Sequence, residues 1–370
     1  MNLSERISQY WQGIQGNLFP WLAEELGPLS EKQQQLVTVL EVARIEQFIP
    51  HYRGYVGRPQ DDRVAIARAF VAKAVYGLKT TRQLIDRLST DIVVRRICGF
   101  EKVSELPSES TFSRAFAEFA NSELASRVHA GLIKEFQSER LVGHLSRDST
   151  AIEAPEKALY KAVVVVPKVK LKRGRPKKGE VREERIVEPT RIEQQLSMSL
   201  SQMLADLPKA CDVGTKRNSK GYQTSWKGYK LHLDSADGGI PISAILSSAS
   251  VHDSQVALPL AKMSAMRVTN CYDLMDAAYD SSLIRDYSNS LGHVPLIDFN
   301  HRSPMDTRCF APHEKQRYKE RSTAERANSR LKGEFGALTV WVRGHAKVMS
   351  HLMWGIIVLT VDALGRCIVT

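Results

Sequence analysis

From about residue 60 to Arg140 the apolar positions recur at helical spacing. Val64, Ala67, Phe70, Val71, Ala74 and Val75 form one series, Leu84, Ile85 and Leu88 a second, and Phe112, Phe116 and Phe119 a third. Each series gathers its apolar side chains on one stripe of a 3.6-residue helix. No convincing run in this part alternates with the period of a strand, so residues 1–140 are expected to form an all-α domain. Pro107 and Ser108 stand just before the third series, where Ser108 or Ser110 can cap the first turn. Arg82, Arg87, Arg95, Arg96 and Arg114 accompany these short helices. That arrangement suits a helix-turn-helix reader of DNA and, almost equally, a plain helical bundle.

At residue 141 the period changes. Short β-rich runs follow at Val142 to Ile152, Gly228 to Asp234, Ile240 to Ser247, Cys271 to Met275 and His293 to Ile297, with helical patterns at Gln255 to Ala265, Ser282 to Leu291 and beyond Tyr318. The order β-β-β-α-β-α-β-α predicts a mixed sheet with helices on its faces over residues 141–370. A long insert, about 153–225, separates the first two strands. It holds a polar helical stretch near Arg191 to Leu207 and a basic run upstream of it.

Composition narrows the class. With 43% hydrophobic and 25% charged residues in 370, the chain can bury a sizeable core, and a disordered or fibrous protein is excluded. The longest apolar run, Met353 to Leu364, is shorter than the roughly 20 residues of a membrane span, so no transmembrane segment is expected. The five cysteines are isolated and form no Cys-x-x-Cys, and the amino terminus has no apolar leader, which together point to a reducing cytoplasm and no zinc site. A net charge of +11 favours a polyanionic partner without identifying it.

The segment YKERSTAERANSRLK sharpens this. Tyr318, Arg321, Glu325 and Lys332 fall at offsets of 0, 3, 7 and 14 residues, or roughly 0°, 300°, 340° and 320° around a helix, all on one face. Ala324, Ala327, Leu331 and Phe335 occupy the opposite, apolar side. Spacing alone is also met by an exposed salt-bridged helix. Two aspartates shift the balance. Asp148 lies within the first strand (LSRDST), and Asp276 lies where a later strand leaves the sheet (LMDAAYDS). Acids in such places are costly to bury unless they are paired or bound to metal. Three converging carboxylates make a hard oxygen site suited to Mg²⁺ or Mn²⁺, and two such ions can activate a nucleophile and stabilise a leaving oxygen at phosphorus. Arg321 and Lys332 would then hold phosphate oxygens, and Tyr318 would donate a hydrogen bond or stack on a nucleotide.

The Tyr-x2-Arg-x3-Glu-x6-Lys spacing, the Asp in RDST, the Asp in MDAAYDS, and GYKLHLDSADGGIP followed by VHDS resemble bacterial insertion-sequence transposases of the DDE class, from about residue 58 to the end. The resemblance implies an RNase H-like catalytic domain preceded by a helical domain, with Asp148, Asp276 and Glu325 as the catalytic, metal-binding acids. It also implies a substrate of double-stranded DNA: terminal inverted repeats are bound, cut and joined to a target. Handling two ends together implies a homodimer or larger assembly, working among the cytoplasmic, nucleoid-associated DNA of a bacterium. The interval from Asp276 to Glu325 is too short for the β-rich insertion domain of some relatives, so hairpin-forming chemistry is not carried over. The alternatives are an RNase H-like nuclease without strand transfer and a DNA-binding regulator.

Further DNA contacts are expected in the insert. Seven basic residues occupy the eleven positions from Lys168 to Lys178, around Arg173-Gly174-Arg175-Pro176, a core resembling an AT-hook. Its two arginines suit a narrow A·T minor groove, although a flexible basic linker has the same composition. Lys216, Arg217, Lys220, Trp226, Lys227 and Lys230 lead into the second strand and are expected to line a DNA groove, with Trp226 either stacking on a base or joining the core. His252 and Asp253 are expected to cap a helix, and His345 and His351 to sit on the polar face of the last one, with no role assigned.

Overall fold

The computed structural model describes residues 28–50, 61–159, 189–217, 221–301, 305, 307–338 and 340–369. Arg173 and Arg175 lie outside them. Among the described residues six α-helices come first: α1 (Glu31–Ala43), α2 (Arg63–Val75), α3 (Thr81–Thr90), α4 (Ile92–Cys98), α5 (Glu109–Asn121) and α6 (Leu124–Gln137). Their starts follow local chemistry. Ser30 and Thr80 form capping boxes with Gln33 and Gln83, and the Ser108 hydroxyl accepts the Thr111 N–H. Helix α2 is apolar on nearly every side and lies at the centre, where Phe70 meets Phe112, Phe116 and Phe119 at ring centroid distances of 6.0, 4.9 and 6.2 Å.

The arginines of this region are largely committed within the protein. Arg95 is buried and donates to the carbonyls of Leu88 and Ser89, so it is not a surface group. Arg82 pairs with Glu109, Arg87 with Asp91 and Arg96 with Glu101, and Arg114 donates to the Thr111 hydroxyl.

A mixed sheet follows: β1 (Leu141–Glu153), β2 (Asp212–Arg217), β3 (Gln223–Ala236), β4 (Ile240–Ser248), β5 (Thr269–Met275) and β6 (Val294–Ile297). The strand order is β2-β3-β1-β5-β6, with β4 also on β3. Antiparallel pairs join β1, β2 and β4 to β3, and parallel pairs join β1 to β5 and β5 to β6. Between them run α7 (Arg191–Gln195), α8 (Leu200–Asp206), α9 (Ser254–Ala265) and α10 (Ser282–Ser290), and after them α11 (Pro312–Tyr318), α12 (Ser322–Gly333) and α13 (His345–Val369). The chain is thus a mixed α/β protein with a helical amino-terminal region.

Two features depart from the sequence pattern. The insert does not run to residue 225, because β2 pairs with the first half of β3 and extends the sheet as a hairpin. Its polar TKR run carries no alternating apolar face to reveal a strand. At Gly228, where β3 passes from β2 to β1, φ is +150° and a Cβ would collide with the Ile152 carbonyl, so only glycine fits. The stretch 312–333 is also not one continuous helix, since a 3₁₀ turn over Lys319–Arg321 separates α11 from α12.

Helix α13 closes the core, packing against α1, α2, α5, α6 and α12 and against β4. By length and composition alone His345–Arg366 is apolar enough to cross a membrane, being longer than its uninterrupted apolar run; 83% of its most apolar window is buried within this fold. Its histidines do not lie on a polar face. His351 is buried against the Gly336 carbonyl at 3.1 Å, and His345 meets the Leu246 carbonyl at 2.8 Å.

Candidate active site

Strand alternation divides the charged residues of β1 between the two faces of the sheet. Arg147 points toward α9, where its fork grips Asp234 at 2.8 and 2.7 Å and Ser264 donates to the same carboxylate at 2.7 Å. Asp148 points the other way, toward α12, where Asn328 Nδ2 donates to its Oδ2 at 3.0 Å. The apolar stripe of α12 makes that approach possible: Ala324, Ala327 and Leu331 are buried beneath it. Asp276 follows the last residue of β5, and its Oδ1 accepts the Ala278 N–H at 3.1 Å to start a 3₁₀ turn. Glu325 lies one turn into α12.

The three acids converge on one guanidinium. Arg321 stands 3.4 Å from Asp148, 3.6 Å from Asp276 and 2.6 Å from Glu325. The Asp148 and Arg321 side chains are each 17% exposed, Asp276 is 36% and Glu325 60%. Burial pushes the carboxyls of Asp148 and Asp276 above their ordinary values; Arg321 pulls both down, but not enough to reverse the shift. Both acids are therefore harder to ionise than free carboxyls even with Arg321 between them.

Lys332 is half-buried, and its ammonium is pushed down by burial and then by the nearby Lys216, with Asp148 opposing. Lys216 also acts on Asp276. The β2–β3 hairpin thus brings a lysine to the mouth of the acidic cleft. Lys227 is exposed on the same hairpin, and Arg217 ends β2. Trp226 is not free to stack: its indole N–H donates to the Tyr229 carbonyl at 3.0 Å, and its ring lies across Gly214. Nor does Tyr318 point into the cleft. Its hydroxyl donates to the Met275 carbonyl at 3.1 Å, just before Asp276, and its ring packs on Phe310.

Asn328 belongs to no motif, although its offset of 10 from Tyr318 puts it at about 280°, beside the polar arc. Asp253 differs from the expected cap. That residue stands at the start of α9, but its carboxylate makes no cap; it turns inward to Lys230 at 2.9 Å. His252 instead meets the Ser254 hydroxyl at 2.8 Å.

Among the described residues no three His, Cys, Asp or Glu side chains stand close enough to hold a metal ion in this arrangement. The donor set nevertheless fits a hard divalent cation: three carboxylates already surround one positive group.

The mixed sheet brings acids from two neighbouring strands and a facing helix into one cleft, and the family comparisons make the fold RNase H-like. The family model described as Transposase DDE domain matches residues 148–361, more than half of the chain, and that described as Transposase domain (DUF772) matches residues 23–118. The chain belongs to the DDE transposase family of insertion sequences. No curated protein and no solved structure matches it.

Proposed function

We propose that this transposase binds the terminal inverted repeats of its own element, cuts DNA at their ends and joins the freed 3′-hydroxyls to target DNA. The observation that carries this reading is the gathering of Asp148, Asp276 and Glu325 around Arg321 in one cleft, with Lys332 and Lys216 beside it. Asp148, Asp276 and Glu325 would hold Mg²⁺ or Mn²⁺. The chemistry such ions would supply there is activation of a nucleophile and neutralisation of the departing oxygen of a phosphodiester.

The residues of the chain do the rest. Arg321 presents a planar fork that matches phosphate oxygens, and Lys332 and Lys216 extend the positive rim along the DNA backbone. Tyr318 holds the carbonyl of Met275 and with it the start of the Asp276 turn. Asn328 keeps the Asp148 carboxylate facing the cleft. The exposed Lys227 and the Arg217 position suit the same DNA path, and the sequence around Arg173 and Arg175 suits an A·T-rich minor groove. We assign residues 1–140 to a DNA-binding domain, 141–370 to the catalytic domain, and the working assembly to a dimer or larger complex on paired ends in the bacterial cytoplasm.

Purified protein incubated with Mg²⁺ and labelled element-end DNA tests this directly. Joined products are expected. Cleavage alone would leave a nuclease, and a shifted but intact duplex a DNA-binding protein. Asp148→Asn, Asp276→Asn and Glu325→Gln are each expected to abolish cleavage while the DNA shift persists; cleavage retained by one of them removes that residue from the site. Arg173→Ala with Arg175→Ala should weaken binding most on A·T-rich duplex, and an equal loss on G·C-rich duplex would refute the minor-groove assignment.

A further inference from the structure

The two aspartates stand beyond the point where main-chain pairing holds their strands together. The parallel ladder between β1 and β5 pairs Leu145 with Asp273 and Ser146 with Leu274. Continued at the same register, it would pair Asp148 with Asp276, but it stops two steps earlier, at Ser146 and Leu274. Backbone hydrogen bonds therefore do not set the spacing of the two carboxylates. On the α12 face Arg321 touches both, yet Arg321 is also the group suited to a DNA phosphate.

Behind the site lies a second connection. The Ser149 side chain, next to Asp148, faces the Asp253 carboxylate and helps to hold it below the ordinary carboxylate range. Lys230 donates to that carboxylate at 2.9 Å and to the Val251 carbonyl at 2.8 Å, which fixes both ends of the pair. On the other side is Tyr279, the last residue of the 3₁₀ turn that Asp276 caps; its backbone N–H donates to the Asp276 carbonyl at 3.0 Å. Its ring is 1% exposed, and its hydroxyl is buried with no hydrogen-bond partner. Of the charges around that hydroxyl, Asp253 acts most strongly, followed by Asp276. An unpaired buried hydroxyl is costlier than a phenyl ring of the same shape, so packing does not account for it.

We propose that Asp253 is a positioning residue that sets the spacing of Asp148 and Asp276, tying Ser149 on β1 to Tyr279 on the turn after β5. The Tyr279 hydroxyl closes the clasp by donating to Asp253 when the two strand ends draw together around a cation. Lys230 pairs with one oxygen of this buried carboxylate, Oδ1, which the His232 ring also faces at 4.0 Å. The inference rests on the assignment of Asp148 and Asp276 to the acidic site.

Mn²⁺ titration of the DNA-free, full-length protein by calorimetry, paired with thermal melting, provides the test. Tyr279→Phe is expected to weaken Mn²⁺ binding about ten-fold, as loss of outer-sphere support does at metal sites, with melting unchanged or raised. Asp253→Asn alone strands Lys230, so the double variant Lys230→Met/Asp253→Asn is used beside it. It is expected to show the same loss of affinity without a large fall in melting temperature. Wild-type affinity in both variants overturns the proposal, as does an affinity loss that only follows a loss of folded protein. If Asp148→Asn and Asp276→Asn also keep Mn²⁺ binding, the acidic site itself has been misassigned and the role of Asp253 falls with it. If those two abolish binding while Tyr279→Phe and the double variant do not, only the clasp is wrong.

Discussion

Replacing Arg321 by Gln should make the DNA-free protein bind Mn²⁺ more tightly, because a cation entering the cleft has to displace the guanidinium. The magnitude follows from the three contacts. The Glu325 pair is an exposed i,i+4 contact and contributes about 0.3–0.5 kcal/mol. The Asp276 contact is long and about a third exposed, and adds a similarly small amount. The Asp148 contact is the most enclosed, with both side chains 17% exposed. Breaking a fully buried pair costs about 3–5 kcal/mol, and the 3.4 Å separation and residual exposure bring this one to about 1–2 kcal/mol. Arg321 therefore holds the closed arrangement by about 2 kcal/mol in all, which at 1.4 kcal/mol per decade is roughly a 30-fold handicap to the incoming ion.

Calorimetric titration of wild type, Arg321→Gln and Arg321→Lys should show that gap, with the lysine variant between the other two because it keeps the charge and loses the fork. Metal-free Arg321→Gln should melt a few degrees below wild type and recover on adding Mn²⁺, since a ligand that binds only the folded state stabilises it by mass action. With element-end DNA present, phosphate engages Arg321 in the wild type and the affinity gap should narrow. Equal Mn²⁺ affinity in the DNA-free proteins, or weaker binding by Arg321→Gln, would refute the displacement argument.

Two further outcomes concern the fold beneath the site. Arg147→Met leaves Asp234 at 0% exposure with only Ser264 donating to it, and should destabilise the protein by about 3–5 kcal/mol in urea unfolding; Arg147→Met/Asp234→Leu should recover most of that loss, and a single variant as stable as wild type would show that the pair is dispensable. Stability should also fall as pH drops from about 6.5 toward 4. Burial holds His351 down to about 4, with Lys73 adding to the effect, and His129 to about 3, with Arg267 adding. Because both folded values lie below the unfolded one, the unfolded chain takes up protons first in that window, and His351→Gln should flatten the slope of urea midpoints against pH.

What could be read from the sequence and what could not differ in range of interaction. The stripe of Ala324, Ala327 and Leu331, the face shared by Arg321 and Glu325, and the strands bearing Asp148 and Asp276 are all set by periods of two or 3.6 residues, which a linear pattern carries directly. The strand β2 is not, since its polar residues are ordered by pairing with Gln223–Gly228 rather than by an apolar face of their own. Asp253 failed for the same reason. A carboxylate at a helix start defaults to capping when only neighbouring residues are considered; its partner Lys230 lies 23 positions upstream and meets it only because β3 runs beneath α9. Arg95 and His351 show the limit from the other side. Both occur in helices where charge suggests solvent, and both are buried because α2 and α13 are apolar on nearly every side and leave little of the surrounding helices exposed. The chemistry of the cleft was therefore legible wherever its residues are displayed by a single element. The parts that hold those elements at a working distance were not, and the spacing of Asp148 from Asp276, on which any use of the acids depends, is one of them.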